Sequence, residues 1–182
     1  MDEKSFHTFF DVLEHYRLYP ERKPRIVRVG SVYSKMTRGD FVAMARLLEP
    51  YIAIIDSWKI YEIIDYEFQA ELRRPIMHEH DMFDEEMAEL MEQTELSPKI
   101  NIASATSRDK AYFMVNPRGD VVVPTNKDGT TYEIPVGNLL TMPLGQVVAR
   151  WRHFIVPVNY YLNHHIHYDK TEKSASATIR WM

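Results

Sequence analysis

Two short β-branched runs with one amphipathic stretch between them constrain this chain more than anything else in it. The first is Arg25-Ile26-Val27-Arg28-Val29-Gly30-Ser31-Val32 and the second is Asp56-Ser57-Trp58-Lys59-Ile60-Tyr61-Glu62. Between them Phe41, Met44, Ala45, Leu47 and Leu48 form an apolar stripe at helical spacing that ends before Pro50. Strand, helix and strand in so short a span predict a βαβ unit, because a parallel return needs a crossover of about a dozen residues or more. The runs are almost continuously apolar, the pattern expected of parallel strands covered on both faces.

The rest of the 182-residue chain reads as material that extends this unit, and the whole has length enough for one domain and a sizeable core. A net charge of −4 argues against nucleic acid or an anionic membrane as the main partner. No apolar run approaches the roughly 20 residues needed to span a bilayer, and the first residues hold no signal-like apolar segment, so a cytosolic location is expected. Cysteine is absent, which removes disulfides, thiol catalysis, thiolate zinc sites and an iron–sulfur cluster held by this chain's own thiolates.

Before the first strand, Phe6, Phe9, Phe10, Leu13, Tyr16 and Tyr19 recur at helical spacing, with Ser5 the expected cap and Pro20 the stop. Residues 65–83 are charged and aperiodic and read as a long loop. A helix is expected from Asp84 to about Thr94, with Glu85 and Glu86 favoured in its first turn by the helix dipole. Ile100–Ala105 and Ala111–Val115 read as strands. Asn116-Pro117-Arg118-Gly119-Asp120 is a tight turn into Val121-Val122-Val123, and Asn126-Lys127-Asp128-Gly129 is a second turn into Thr130–Val136. Pro143 opens a last amphipathic helix, and from Ile155 onward periodicity fades into an arm or tail.

Three segments in this order resemble the second half of a radical S-adenosylmethionine barrel and its post-barrel hairpin. The strand Arg28-Val29-Gly30-Ser31-Val32-Tyr33-Ser34-Lys35 and the strand Asp56-Ser57-Trp58-Lys59-Ile60-Tyr61-Glu62 are similar to the fifth and sixth barrel strands. The stretch Ala111–Pro124, followed by Val136-Gly137-Asn138-Leu139-Leu140-Thr141-Met142-Pro143-Leu144, is similar to the hairpin. The resemblance covers roughly residues 5–152. It implies an α/β fold built as a partial (β/α) barrel with parallel strands, a following β-hairpin and a C-terminal helix. The implied division is 1–98 for the βα units, 99–154 for the post-barrel strands, hairpin and helix, and 155–182 for the arm. The family's cysteine triad has no counterpart here, and Val123-Pro124-Thr125 stands where some members carry further cluster-binding cysteines.

The resemblance therefore implies a cluster-free subunit of a split radical S-adenosylmethionine enzyme, inactive alone. S-adenosylmethionine would be shared with a cysteine-bearing partner, and a 4Fe–4S cluster would sit on that partner only. Gly30, Ser31, Ile60 and Tyr61 are the implied cofactor contacts, while Arg28, Lys59 and Glu62 are the candidates for holding a substrate. A parallel strand at a cut edge exposes unpaired backbone groups. A partner chain, self-association or a complete small α/β domain would each relieve that exposure. The competing function is a non-catalytic binding or scaffold module derived from the same barrel. A third is a metal-dependent enzyme using His165 and His167, which a strand would point the same way.

Overall fold

The computed structural model describes residues 3–66, 71, 74–77, 80–127 and 130–164. In chain order the regular elements are α1 (Glu3–Leu18), β1 (Arg28–Tyr33), α2 (Phe41–Leu48), β2 (Ser57–Glu62), β3 (Asp65–Tyr66) and α3 (His80–Gln93). They continue with β4 (Ile100–Ala103), β5 (Met114–Val115), β6 (Asp120–Lys127), β7 (Thr130–Asn138), α4 (Leu144–Arg152) and α5 (Pro157–His164). The protein is a mixed α/β fold with a parallel three-stranded sheet and a second sheet built on a hairpin, and no barrel closes among the described residues. The chain divides into two compact units, 1–106 with 125–133, and 107–124 with 134–182.

In the first unit the strand order is β1-β2-β4, and both pairings are parallel. The expected βαβ unit is present, and a second one follows it through α3. Ile100–Ala103 therefore extends the parallel sheet, beyond the 98/99 division that the resemblance implies. The register sets Val29 beside Trp58 and Ile100, and Ser31 beside Ile60 and Ile102. Side chains alternate along a strand, so these positions share one face. On that face Leu13 of α1, Phe41, Ala45 and Leu48 of α2, and Phe83, Met87 and Leu90 of α3 form one buried cluster with Val29, Trp58 and Ile60.

Such apolar runs are expected to be covered on both faces, and the described helices of this core supply the cover of one face. Sequential strand order with crossovers of one hand places successive helices on the same side. Phe41 stacks on Trp58 with ring centroids 6.1 Å apart, and Tyr33 meets Phe83 edge-on at 5.0 Å. Offset and edge-on contacts of this kind stabilise by about 0.5–1.5 kcal/mol beyond the area they bury.

Asp56 fixes where the two strands begin. Its carboxylate accepts from the Val27 amide and from the Lys23 ammonium, both at 2.7 Å, while its own amide donates to Val27 carbonyl at 2.9 Å. Asp56 is thus a clamp that starts β2 at Ser57. The segment 65–83 is not a plain loop. β3 pairs in parallel with β7, and α3 begins at His80, four residues earlier than the acidic signature at Asp84 predicts.

In the second unit β5 runs antiparallel to β6, and Val121, Val123 and Val136 pack with Val147 and Trp151 of α4. The expected turn is locked by Asn138, whose amide donates to Arg118 carbonyl at 3.0 Å and to Asp120 carboxylate at 2.8 Å. Gly119 is required there: its φ is +79°, and a Cβ would lie 2.9 Å from Leu140 Cγ. One helix was missed in the sequence: α5 begins at Pro157, where a fading tail was expected. Tyr160 of this helix meets Trp151 edge-on at 5.5 Å. His165 and His167 lie outside the described residues.

Two titrations bound the stability of the first unit. Burial pushes the Asp56 carboxyl up, but the Lys23 and Val27 hydrogen bonds outweigh it and hold the group below its ordinary value. A depressed carboxyl contributes stability above its unfolded value that is lost as pH falls through the folded one. Urea unfolding should therefore show stability falling as pH drops below about 4. Asp56→Asn should flatten that loss, and at neutral pH it should cost about 1 kcal/mol, because the group is half exposed and its ion pair is screened. Burial, with the Glu86 charge next, pushes the Tyr33 hydroxyl up to about 12. Its contribution is complete below the unfolded value near 10 and is lost as pH rises toward 12. Tyr33→Phe should remove that alkaline loss in the same unfolding series.

Candidate functional site

The face of the parallel sheet opposite the helix core is built by the other residues of the alternation. Arg28, Gly30 and Val32 come from β1, Lys59 and Tyr61 from β2, and Asn101 and Ala103 from β4. Gly30 stands beside Lys59, which stands beside Asn101, and Val32 stands beside Tyr61, which stands beside Ala103. The Lys59 ammonium lies 5.0 Å from the centroid of the Tyr61 ring, within cation–π range. A Cβ on Gly30 would sit 4.0 Å from Tyr61 Cε2. The ring thus lies beside a strand position without a side chain, and Val32 above it is 52% exposed.

This geometry separates the residues singled out from the sequence. Gly30, Lys59 and Tyr61 come together. Arg28 shares their face but pairs with Ser57 at the start of both strands. Ligands of parallel sheets bind at the carboxyl ends of the strands, and at about 3.3 Å per residue Arg28 lies roughly 13 Å short of Val32. Glu62 is on the helix side, 2% exposed, and its carboxylate accepts the Ala105 amide. Arg28, Lys59 and Glu62 do not converge on one pocket.

Ser31 and Ile60 also face the helices. Ile60 is fully buried, and Ser31 Oγ accepts the Trp58 indole N–H at 2.9 Å. Their side chains serve the core, and only their backbone lies at the level of Gly30 and Tyr61. Asn101, which places an amide beside Lys59, was not singled out in the sequence. A four-residue strand at the end of a loop carries no period strong enough to reveal its partner.

A cavity of about 200 Å³ lies along the outer edge of β1. Phe6, Phe9 and Phe10 of α1 and Met44 and Leu47 of α2 wall it, and the strand from Arg28 to Ser31 forms its floor. Among the described residues no group of three or more His, Asp or Glu side chains is arranged to hold a metal ion. Among them also, no helix is long and apolar enough to cross a membrane. No protein-family model matches the chain, and no curated protein is significantly similar to it.

The structural use of Ser31 can be measured directly. Ser31→Ala leaves the buried indole N–H without its acceptor and should cost about 1–3 kcal/mol in denaturant unfolding with an unchanged m-value. A change below about 0.3 kcal/mol would show that this hydrogen bond is replaced at no cost, and would return Ser31 to the candidate ligands.

Proposed function

We propose that these residues are the cluster-free portion of a radical S-adenosylmethionine enzyme. In this reading the chain works in the cytosol with a cysteine-bearing partner and contributes sheet and cofactor surface, not a complete active site. The observation that carries the reading is the grouping of Gly30, Lys59 and Tyr61 on the face opposite the helices. It is supported by the sequential parallel order β1-β2-β4 with its helix core on one face, the arrangement of successive strands in a (β/α) barrel.

The donor set decides which groups this chain can hold. It contains no thiolate, so it does not fit an iron–sulfur cluster, and that group is assigned to the partner alone. The strand at Gly30 and the ring of Tyr61 do fit a planar base with a flexible polar chain. The bare Gly30 position admits close backbone approach, and the Tyr61 ring offers a stacking surface. When bound with the partner's cluster, S-adenosylmethionine would supply the radical. Lys59 and Asn101 would orient polar groups beside it.

The scattering of Arg28, Lys59 and Glu62 favours a second reading, a non-catalytic scaffold derived from the same barrel. The two separate in one experiment. The chain is purified anaerobically from its source, its mass and its iron and sulfide are measured, and S-adenosylmethionine binding is titrated on what co-purifies. The first reading expects a cysteine-bearing partner with iron and sulfide, and Tyr61→Ala should weaken S-adenosylmethionine binding about 5- to 100-fold, the loss of one stacking contact. A complex that forms without iron and without S-adenosylmethionine binding would leave the scaffold standing. A lone species that binds neither partner nor S-adenosylmethionine would sink both.

A further inference from the structure

We propose that the outer edge of β1 is the docking site for an extended strand of a partner polypeptide. The strand runs parallel to β1, sets aliphatic side chains on its helix side and carries a carboxylate near its start. This deepens the reading above by naming the partner's contact segment, and it rests on the sheet edge, with no cofactor involved.

Among the described residues β1 ends its sheet, so one side of its backbone has no described strand beside it. Which groups face that way follows from alternation. The carbonyls of Val27 and Tyr33 accept amides on the β2 side, from Asp56 and Ile63, both at 2.9 Å. Arg28, Gly30 and Val32 therefore direct their amides and carbonyls outward. The Thr37 hydroxyl donates to the Val32 carbonyl at 2.9 Å, which agrees with this direction and caps one end of the ladder. An open ladder of this kind is a template for another strand.

Side chains of α1 and α2 line a cavity beside the backbone of β1. α2 leads out of β1 and lies over the sheet between β1 and β2. α1 leads into β1, and its Phe6, Phe9 and Phe10 line a cavity with the backbone of that strand. Between them the cavity of about 200 Å³ runs beside the strand from Arg28 to Ser31, walled by phenylalanine, methionine and leucine. It exceeds the roughly 150 Å³ apolar cavity that holds a benzene ring, so it takes aliphatic side chains from a strand laid along the edge. Phe6 is 40% and Leu47 is 50% exposed in its absence.

Charge sets which end of the occupant is acidic. Arg25 and Arg28 stand at the amino end of β1, and both are exposed. Among the described residues neither forms an ion pair, whereas neighbouring Lys23 is held by Asp56 at 2.7 Å. The occupant therefore carries its acid at the end that lies beside this pair, which is its start when it runs parallel, the direction that continues the β1-β2-β4 order. A second copy of β1 fits poorly, because antiparallel pairing would bring its own α1 and α2 onto the same face as these.

The test is hydrogen–deuterium exchange on the full chain, with the acetylated and amidated peptide Asp-Val-Thr-Val-Thr-Ile as probe. In one saturating titration the amides of Arg28, Gly30 and Val32 should slow by about tenfold or more. Replacing the peptide's Asp by Lys should weaken binding about two- to fivefold, the worth of an exposed ion pair. Leu47→Asp charges the groove, and Val32→Pro removes an outward amide at an edge position where proline is tolerated. Each should abolish protection while far-ultraviolet circular dichroism stays native. The proposal is overturned if the probe leaves these amides unchanged, or if both variants still bind. It is equally overturned if the isolated protein sediments as a dimer with this edge already protected, because the occupant is then a second copy. Peptide binding with failed cofactor binding would remove the enzyme reading and leave this docking site intact.

Discussion

Everything in the first unit depends on the register of β1 against β2. Parallel strands have no hairpin to align them, so alignment has to come from contacts made after the crossover closes. Asp56 supplies it at one end by bonding Val27 through both its amide and its carboxylate, and Tyr33 supplies it at the other by accepting the Ile63 amide. A slip of one residue would turn Trp58 and Ile60 out of the core and Lys59 and Tyr61 into it. Trp58 then could not reach Ser31 or stack on Phe41, and the Lys59 ammonium would be driven into the apolar core. The clamp is local, but the whole division of the sheet into a packed face and a chemically varied face follows from it.

That division determines which residues remain for function. The helix face uses its polar groups to satisfy buried donors: Ser31 takes the Trp58 indole, and Glu62 takes the Ala105 amide. Groups committed in this way hold the strands rigid, but they are poor candidates for reversible binding, since withdrawing them leaves a buried donor unpaired. The other face carries its polarity in Lys59, Tyr61 and Asn101, clustered around a glycine. A site on this sheet is therefore made of few groups on a rigid floor, which suits positioning a ligand better than acid–base chemistry.

The sequence revealed what short-range patterns encode. Phe41, Ala45 and Leu48 are buried as their spacing requires, and Asn116–Asp120 makes the turn that Pro117 and Gly119 dictate. Parity alone also held more than resemblance did. Lys59 and Glu62 are three residues apart on one strand, so they cannot share a face, and the analogy that joined them ignored the period of two. The pairing of Ile100–Ala103 with β2 was not legible, because it joins segments some forty residues apart through an aperiodic stretch. The helix from Pro157 was hidden for a different reason: its contact with the fold is made by Tyr160 against Trp151, a tertiary contact with no trace in local hydrophobic spacing.

One-sided helix packing gives this sheet a direction of growth. In a doubly wound sheet strand order reverses at a switch point, and the helices of the two halves cover opposite faces. Here β1, β2 and β4 follow one another in sequence, and their helix core lies on a single side. Each helix then roofs the seam between two neighbouring strands, as α2 does for β1 and β2. α1 precedes the first strand, and its phenylalanines border the edge of β1 where no described strand lies. Its phenylalanines gain their full burial when a strand lies beneath them, and so does the backbone of Arg28 and Gly30. Both deficits lie at one edge, and a single extended segment satisfies the two together, which a ligand bound to the apolar groove alone would not do.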